Sequence, residues 1–260
     1  MTNIEKNFSN FFNIKKTVFE KKENSNTIEL FFEEHFEEIR QRFFQSFFIV
    51  CLVILVAFLN VSFIVEILEK PVSSIKFFQL SPGEYFISTL EISLYFGLLI
   101  SSPLFFNQLI FFLLPGLNER EKNIVLYLII SSITLFFMGL VFSYFVLIPT
   151  TLGFFISYGK DSIEPFLSFN QYIGFIGVLF FSTGILFQVP IIQVLMSLFN
   201  IFSGQKMLGL WRYIIIGATI ISAIFTPSAD PLTQLLLAGI LILLYFVGAF
   251  AAIFLKPIGI

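Results

Sequence analysis

The chain has 260 residues, 57% hydrophobic and 12% charged, whereas soluble domains hold roughly 45–50% apolar and about 25% charged residues; this excludes a water-soluble globular domain and indicates an integral membrane protein. A formal net charge of −2 supplies no basic field for nucleic acid. One cysteine, Cys51, and one histidine, His35, exclude an intramolecular disulfide, a CxxC site, bis-histidine haem ligation and an HExxH zinc site.

Residues 1–32 form a polar N-terminal tail. Its first 30 residues carry Lys15, Lys16, Lys21 and Lys22 among four acids, with no arginine and no continuous apolar core. Neither a secretory signal nor a transit peptide fits, and the composition is that of a partly disordered segment. The stretch EEHFEEIRQRFF, residues 33–44, follows. Ile28, Phe32, Phe36, Ile39 and Phe43 share one helical face, and Glu33, Glu34, Glu37, Glu38 and Gln41 fall on others. This is an amphipathic helix lying at the interface and bending into the first span. Glu38 and Arg42 stand in the favourable four-residue order, worth about 0.2–0.5 kcal/mol. Spacing alone leaves these charges as a solvated helix face, and His35 as an interfacial polar residue.

A span needs about 20 apolar residues to cross roughly 30 Å of hydrocarbon. The runs predict helix 1 at 43–66, helix 2 at 86–112, helix 3 at 124–148, helix 4 at 169–199, helix 5 at 213–226 and helix 6 at 232–255. The last two are short, separated by TPSADP, and residues 256–260 are a C-terminal tail. Pro103 and Pro190 lie inside helices 2 and 4, and Pro149 ends helix 3. Each removes a backbone hydrogen bond and favours a kink, which neighbours must repair in a membrane. The expected fold is all-α, with six kinked and tilted helices forming a concave bundle.

An even span count puts both termini on one side. Lysines and arginines total twelve on that side and three (Lys70, Lys76, Lys160) on the other. With the long tail reduced to Arg40 and Arg42, the ratio is still seven to three, which places the termini in the cytoplasm or its organellar equivalent.

The segments HFEEIRQRF (35–43), ISSPLFFNQLIFFLLPGLNEREKN (100–123), FSYFVLIP (142–149), FQVP (187–190) and FTPSADPLTQ (225–234) occur in this order and at these depths. As an ordered set they resemble TatC, the six-helix receptor subunit of the twin-arginine protein translocase. The family opens with an H-L-x-E-L-R-x-R-L pattern, and the similarity covers about residues 33–255. It implies a translocase domain and not an enzyme, with no cofactor. The implied partners are twin-arginine signal peptides of folded cargo, TatA- and TatB-type single-span subunits, further copies of itself and membrane lipid, with transport driven by the proton-motive force.

The resemblance further implies that Glu38, before the first span, and Glu121, in the 2/3 loop, receive the two arginines. A carboxylate meets a guanidinium through paired charge-assisted hydrogen bonds. Arg40 orients or balances the acids, as does Arg120, while Gln108 and Phe112 line the signal-peptide groove. Without the resemblance, LNEREKN reads as a polar turn between helices. Pro71 shapes the first outer loop, and Asp230 is the acid of the 5/6 turn. Gln188 stands where many bacterial members carry Glu and plastid or cyanobacterial members Gln, which supplies a polar partner contact without a titrating group. These features imply a plastid thylakoid protein with both termini in the stroma, the alternative being a bacterial plasma membrane.

A secondary transporter of a small solute is the rival class. It calls for inverted repeats and an ionisable residue near the midplane, yet no internal repeat is evident and Glu91, near the outer end of helix 2, is the main charge within a span.

Overall fold

A computed structural model describes residues 37, 40–72, 77–79, 81–113, 119–159, 167–226 and 230–259, with backbone alone at 106, 109–113, 119–125, 159 and 256–259. The chain divides into two compact units, Met1–Phe48 and Ile49–Ile260.

Of the first unit, Glu37 and the start of helix α1 (Arg40–Leu59) are described. Arg40 Nη2 lies 3.4 Å from Glu37 Oε1 on an exposed helix surface. The expected partner of Arg42, Glu38, lies outside the described residues, as does most of the predicted amphipathic helix.

In the second unit, six apolar segments follow one another. The first does not run unbroken to residue 66 as the hydropathy suggests. Asn60 interrupts it: its side-chain Nδ2 donates to the Val56 carbonyl at 2.9 Å, competing with the backbone for that acceptor. A second helix, α2 (Val61–Glu69), continues to a 3₁₀ turn at Lys70–Val72. The second segment is α3 (Glu84–Leu113), with Pro103 inside it. The third is one long rod: α4 (Glu119–Phe142), a π-helical turn at Ser143–Leu147, and α5 (Ile148–Gly159). Pro149 accounts for the π turn. Its ring would collide with the Phe145 carbonyl in a regular helix, and the wider turn, in which Ile148 N–H reaches back to Ser143 O, relieves that contact.

The fourth segment is α6 (Phe169–Leu186) and α7 (Val189–Leu198). It breaks at Phe187 and Gln188, just before Pro190. With no N–H at 190 to meet the Leu186 carbonyl, the backbone tightens so that Gln188 N donates to Ile185 O at 3.0 Å. A short α8 (Gly204–Gly209) leads into the fifth segment, α9 (Trp211–Phe225), and the sixth is α10 (Pro231–Gly259).

Helix α9 has 15 residues, about 22 Å at 1.5 Å per residue, and is short as expected. Helix α10 is not. It has 29 residues, its helical backbone continuing through Gly259 across the residues assigned to a tail. Among the described residues, five helices are long and apolar enough to cross a bilayer, and α9 is a shorter apolar one.

Hydropathy gave no sign of a two-residue parallel ladder. Strand β1 (Phe77–Phe78) pairs with β2 (Leu167–Ser168), Phe77 opposite Leu167 and Phe78 opposite Ser168. It joins the loops after the first and third segments.

Helix α6 is the centre of packing. Tyr172, Ile173, Ile176 and Leu179 are buried in one cluster with Ile64 and Val65 of α2, Ile92 of α3, and Ile148 and Leu152 of α5. A second cluster joins Leu128, Ile191, Val194, Leu195 and Ala252, and a third Leu147, Leu186, Ala218, Leu237 and Leu241. Apolar side chains gain little by leaving lipid for protein, so close backbone approach carries the helix contacts. Gly248 of α10 illustrates it: a Cβ there would stand 2.6 Å from Pro190 Cα and 2.0 Å from Gln193 Oε1.

Candidate functional site

Of the predicted signal-binding residues, Gln108 and Phe112 lie in the last turns of α3 and Glu121 at the start of α4, two helices that pack against each other. Gln108 is half-buried one turn before Phe112, which lies in the last turn of α3. Glu121 lies in the first turn of α4, where the unpaired N–H groups of a helix start favour a carboxylate in any case. The side chains of Phe112, Arg120 and Glu121 fall outside the described residues, and so does Glu38 altogether. Arg40 is exposed and paired with Glu37.

Gln188 lies in the half of the fourth segment nearer the 4/5 loop and is 2% exposed. Ser132 Oγ of α4 donates to Gln188 Oε1 at 2.7 Å, and Gln188 Nε2 donates to the Ser132 carbonyl at 3.1 Å. One side-chain amide thus forms a reciprocal pair with one residue of the neighbouring helix. Both amide atoms are engaged and buried, so Gln188 acts between segments three and four. Ser132 escaped the sequence reading because a serine within IISSIT carries no mark of a partner 56 positions away.

Asp230 is 4% exposed and caps α10. Its Oδ2 accepts the Thr233 backbone N–H at 2.8 Å and the Thr233 hydroxyl as well. Thr151 of α5 then donates to Thr233 Oγ1 at 2.8 Å. Pro231 opens the helix without disrupting it, because it occupies the first turn, where no N–H is needed.

Pro71 sits in the 3₁₀ turn that ends α2. Continued as a helix, its nitrogen would meet the Ile67 carbonyl, but proline has no N–H. The Tyr144 hydroxyl donates to Ile67 O at 2.9 Å, and the Tyr172 hydroxyl to Leu68 O at 2.5 Å. Pro103 is treated alike: Ser102 Oγ donates at 2.8 Å to Leu99 O, the acceptor Pro103 leaves unmatched.

The charge noted in α3, Glu91, accepts from Asn170 Nδ2 at 3.1 Å, and Asn170 also reaches Ser88 Oγ at 3.3 Å. Glu84, which the sequence did not mark, is 8% exposed and accepts from the Ser168 hydroxyl and, at 3.4 Å, from Ser81 N–H. Both acids stand at the start of α3 beside the β ladder, away from mid-span. One cavity, about 220 Å³, is lined by apolar and aromatic side chains including Ile92, Tyr95, Leu99, Ile173 and Ile176, and a wider one, about 660 Å³, by side chains including Leu135, Phe137, Phe187 and Leu244. A solute carrier needs polar groups converging at such a depth.

The TatC family model, described as Sec-independent protein translocase protein, matches residues 34–239. An uncharacterised tatC-like protein of Trieres chinensis is 52% identical over 248 residues, 95% of this chain and 90% of that one. The chloroplastic Sec-independent protein translocase protein TATC of Pisum sativum is 46% identical over 218 residues, covering 83% of this chain and 62% of that one. Among solved structures, a crystal structure of the twin-arginine translocase receptor TatC superposes with a TM-score of 0.74 at 31% identity, covering 84% of this chain and 99% of that chain.

Proposed function

This chain is a member of the TatC family of Sec-independent protein translocase proteins, a multi-pass membrane family that is not one of enzymes, and on that premise we propose that it is the receptor subunit of a twin-arginine translocase. The proposal is that it binds twin-arginine signal peptides of folded cargo and assembles with TatA- and TatB-type single-span subunits and with further copies of itself. The observation that carries it is the shared fold along nearly the whole solved receptor.

Glu38 and Glu121 are the proposed acceptors of the arginine pair, with Arg40 balancing their charge and Gln108 and Phe112 flanking the bound peptide. Placing Gln108, Phe112 and Glu121 around one helix junction supports this. Pro71, Gln188 and Asp230 act indirectly. Each fixes a bend or a helix start, and so the surface that partner subunits meet. A thylakoid membrane with both termini in the stroma is the proposed setting, supported by the chloroplastic relative and by the lysine and arginine bias.

The test is co-purification and photo-cross-linking in membranes with single-span partners present. A twin-arginine signal should be captured in preference to its twin-lysine counterpart, and the single-span subunits should copurify. A chain that captures neither is not a receptor of this kind.

A further inference from the structure

The amide of Gln188 presents a donor and an acceptor to α4, and Ser132 matches both, with hydroxyl to Oε1 at 2.7 Å and carbonyl to Nε2 at 3.1 Å. Ser132 is 0% and Gln188 2% exposed, so no solvent stands in for a lost bond. Residues 126–159, 169–198 and 231–255 contain no Asp, Glu, Lys, Arg or His. The titratable groups there are Tyr127, Tyr144, Tyr158, Tyr172 and Tyr245. Among the described residues of the other elements packed around this junction, Glu66, Glu69 and Lys70 belong to the end of α2, Glu84 and Glu91 to the first turns of α3, Lys206 to α8, Arg212 to the start of α9, Asp230 to the start of α10, and Glu119–Lys122 to the start of α4, ten or more residues from Ser132.

We infer that Ser132 is the positioning residue for Gln188, and that the pair closes only around a group carrying both a donor and an acceptor, so that this junction of segments three and four is indifferent to pH. A carboxylate at 188 has acceptors only. Its second oxygen would face the Ser132 carbonyl, acceptor against acceptor. A protonated carboxyl restores the pattern: its O–H donates to the carbonyl and its C=O accepts from the hydroxyl. Gln188 therefore behaves as a protonated acid that cannot ionise. The inference does not depend on the receptor reading, because its test reads the isolated protein.

The full chain is purified in dodecyl maltoside, and thermal unfolding is followed by circular dichroism from pH 5 to pH 9. Ser132→Ala and Gln188→Met are expected to lower the midpoint, and the double variant to melt no lower than Gln188→Met alone. Ser132→Thr, which keeps the hydroxyl, is expected to stay near wild type. Gln188→Glu is expected to match wild type most closely at pH 5 and to fall below it as pH rises. Burial raises the folded-state pKa of an acid above its ordinary value of about 4.3, so stability is lost between the ordinary and the raised value. Each pH unit in that interval is up to a tenfold loss in the folding constant, on the order of 3–6 °C in midpoint. A gap between Gln188→Glu and wild type that does not change with pH would overturn the inference. So would additive losses in the double variant, or a Ser132→Thr protein that melts like Ser132→Ala.

Discussion

The Asp230 carboxylate accepts the backbone N–H of Thr233 at 2.8 Å and thereby closes the first turn of α10. The same contact sets the Thr233 hydroxyl to receive that of Thr151 from α5. Asp230→Ala should cost about 0.5–2 kcal/mol, the usual worth of an N-cap, lowering the melting midpoint of the detergent-solubilised protein. Asp230→Asn keeps an acceptor and should lose less. Equal losses in the two variants would remove the capping role.

A second prediction concerns the end of α2. Tyr144→Phe leaves the Ile67 carbonyl without the donor it has at 2.9 Å, a loss of about 1 kcal/mol for a partly buried acceptor. Pro71→Ala returns a backbone N–H to that acceptor. In the Pro71→Ala background, Tyr144→Phe should therefore be milder, and a double-mutant cycle on unfolding midpoints measures the difference. Strict additivity would show that Tyr144 and Pro71 are unconnected.

For signal binding, Glu121→Ala should weaken a twin-arginine peptide by roughly 10- to 100-fold, about 1.4–2.8 kcal/mol, and Glu121→Lys by more. Glu38→Ala should resemble Glu121→Ala. A twin-lysine signal should lose less in every case, since an ammonium does not form the two-pronged bond. Binding of both signals to each variant in membranes is the measurement, and equal losses for the two signals would assign the acids a general electrostatic role.

Orientation is tested with single cysteines in a chain whose Cys51, exposed on α1, is replaced by serine. Cysteines placed at Lys122 and Lys160 should react from opposite sides of sealed vesicles. Labelling of both from one side would exclude the six-span arrangement.

The apolar segments were legible in the sequence because lipid demands a continuous run of side chains, and such a run is a local property. Pro190 likewise announced the break at Phe187 and Gln188. Position 188 was legible as polar, but its partner was not, since Ser132 differs from the neighbouring Ser131 only by the face it presents in the folded bundle. The break at Asn60 was hidden because one amide inside an apolar run leaves the average hydropathy unchanged. The length of α10 was hidden for the opposite reason: hydropathy ends near Leu255, whereas backbone hydrogen bonding continues to Gly259. Glu84 reads as a loop acid until Ser168, 84 residues later, is brought against it.

The two proline repairs differ in when they become available during synthesis. Ser102 adjoins Pro103, so the donor for Leu99 O is present as soon as that turn leaves the ribosome. Tyr144 comes 73 residues after Pro71, and until the third segment enters the bilayer the Ile67 carbonyl has only water and lipid headgroups to satisfy it. The second segment can therefore satisfy its backbone past Pro103 alone, whereas the end of the first is finished only after two more segments have inserted, giving the assembly of this bundle an order that hydrophobicity does not impose.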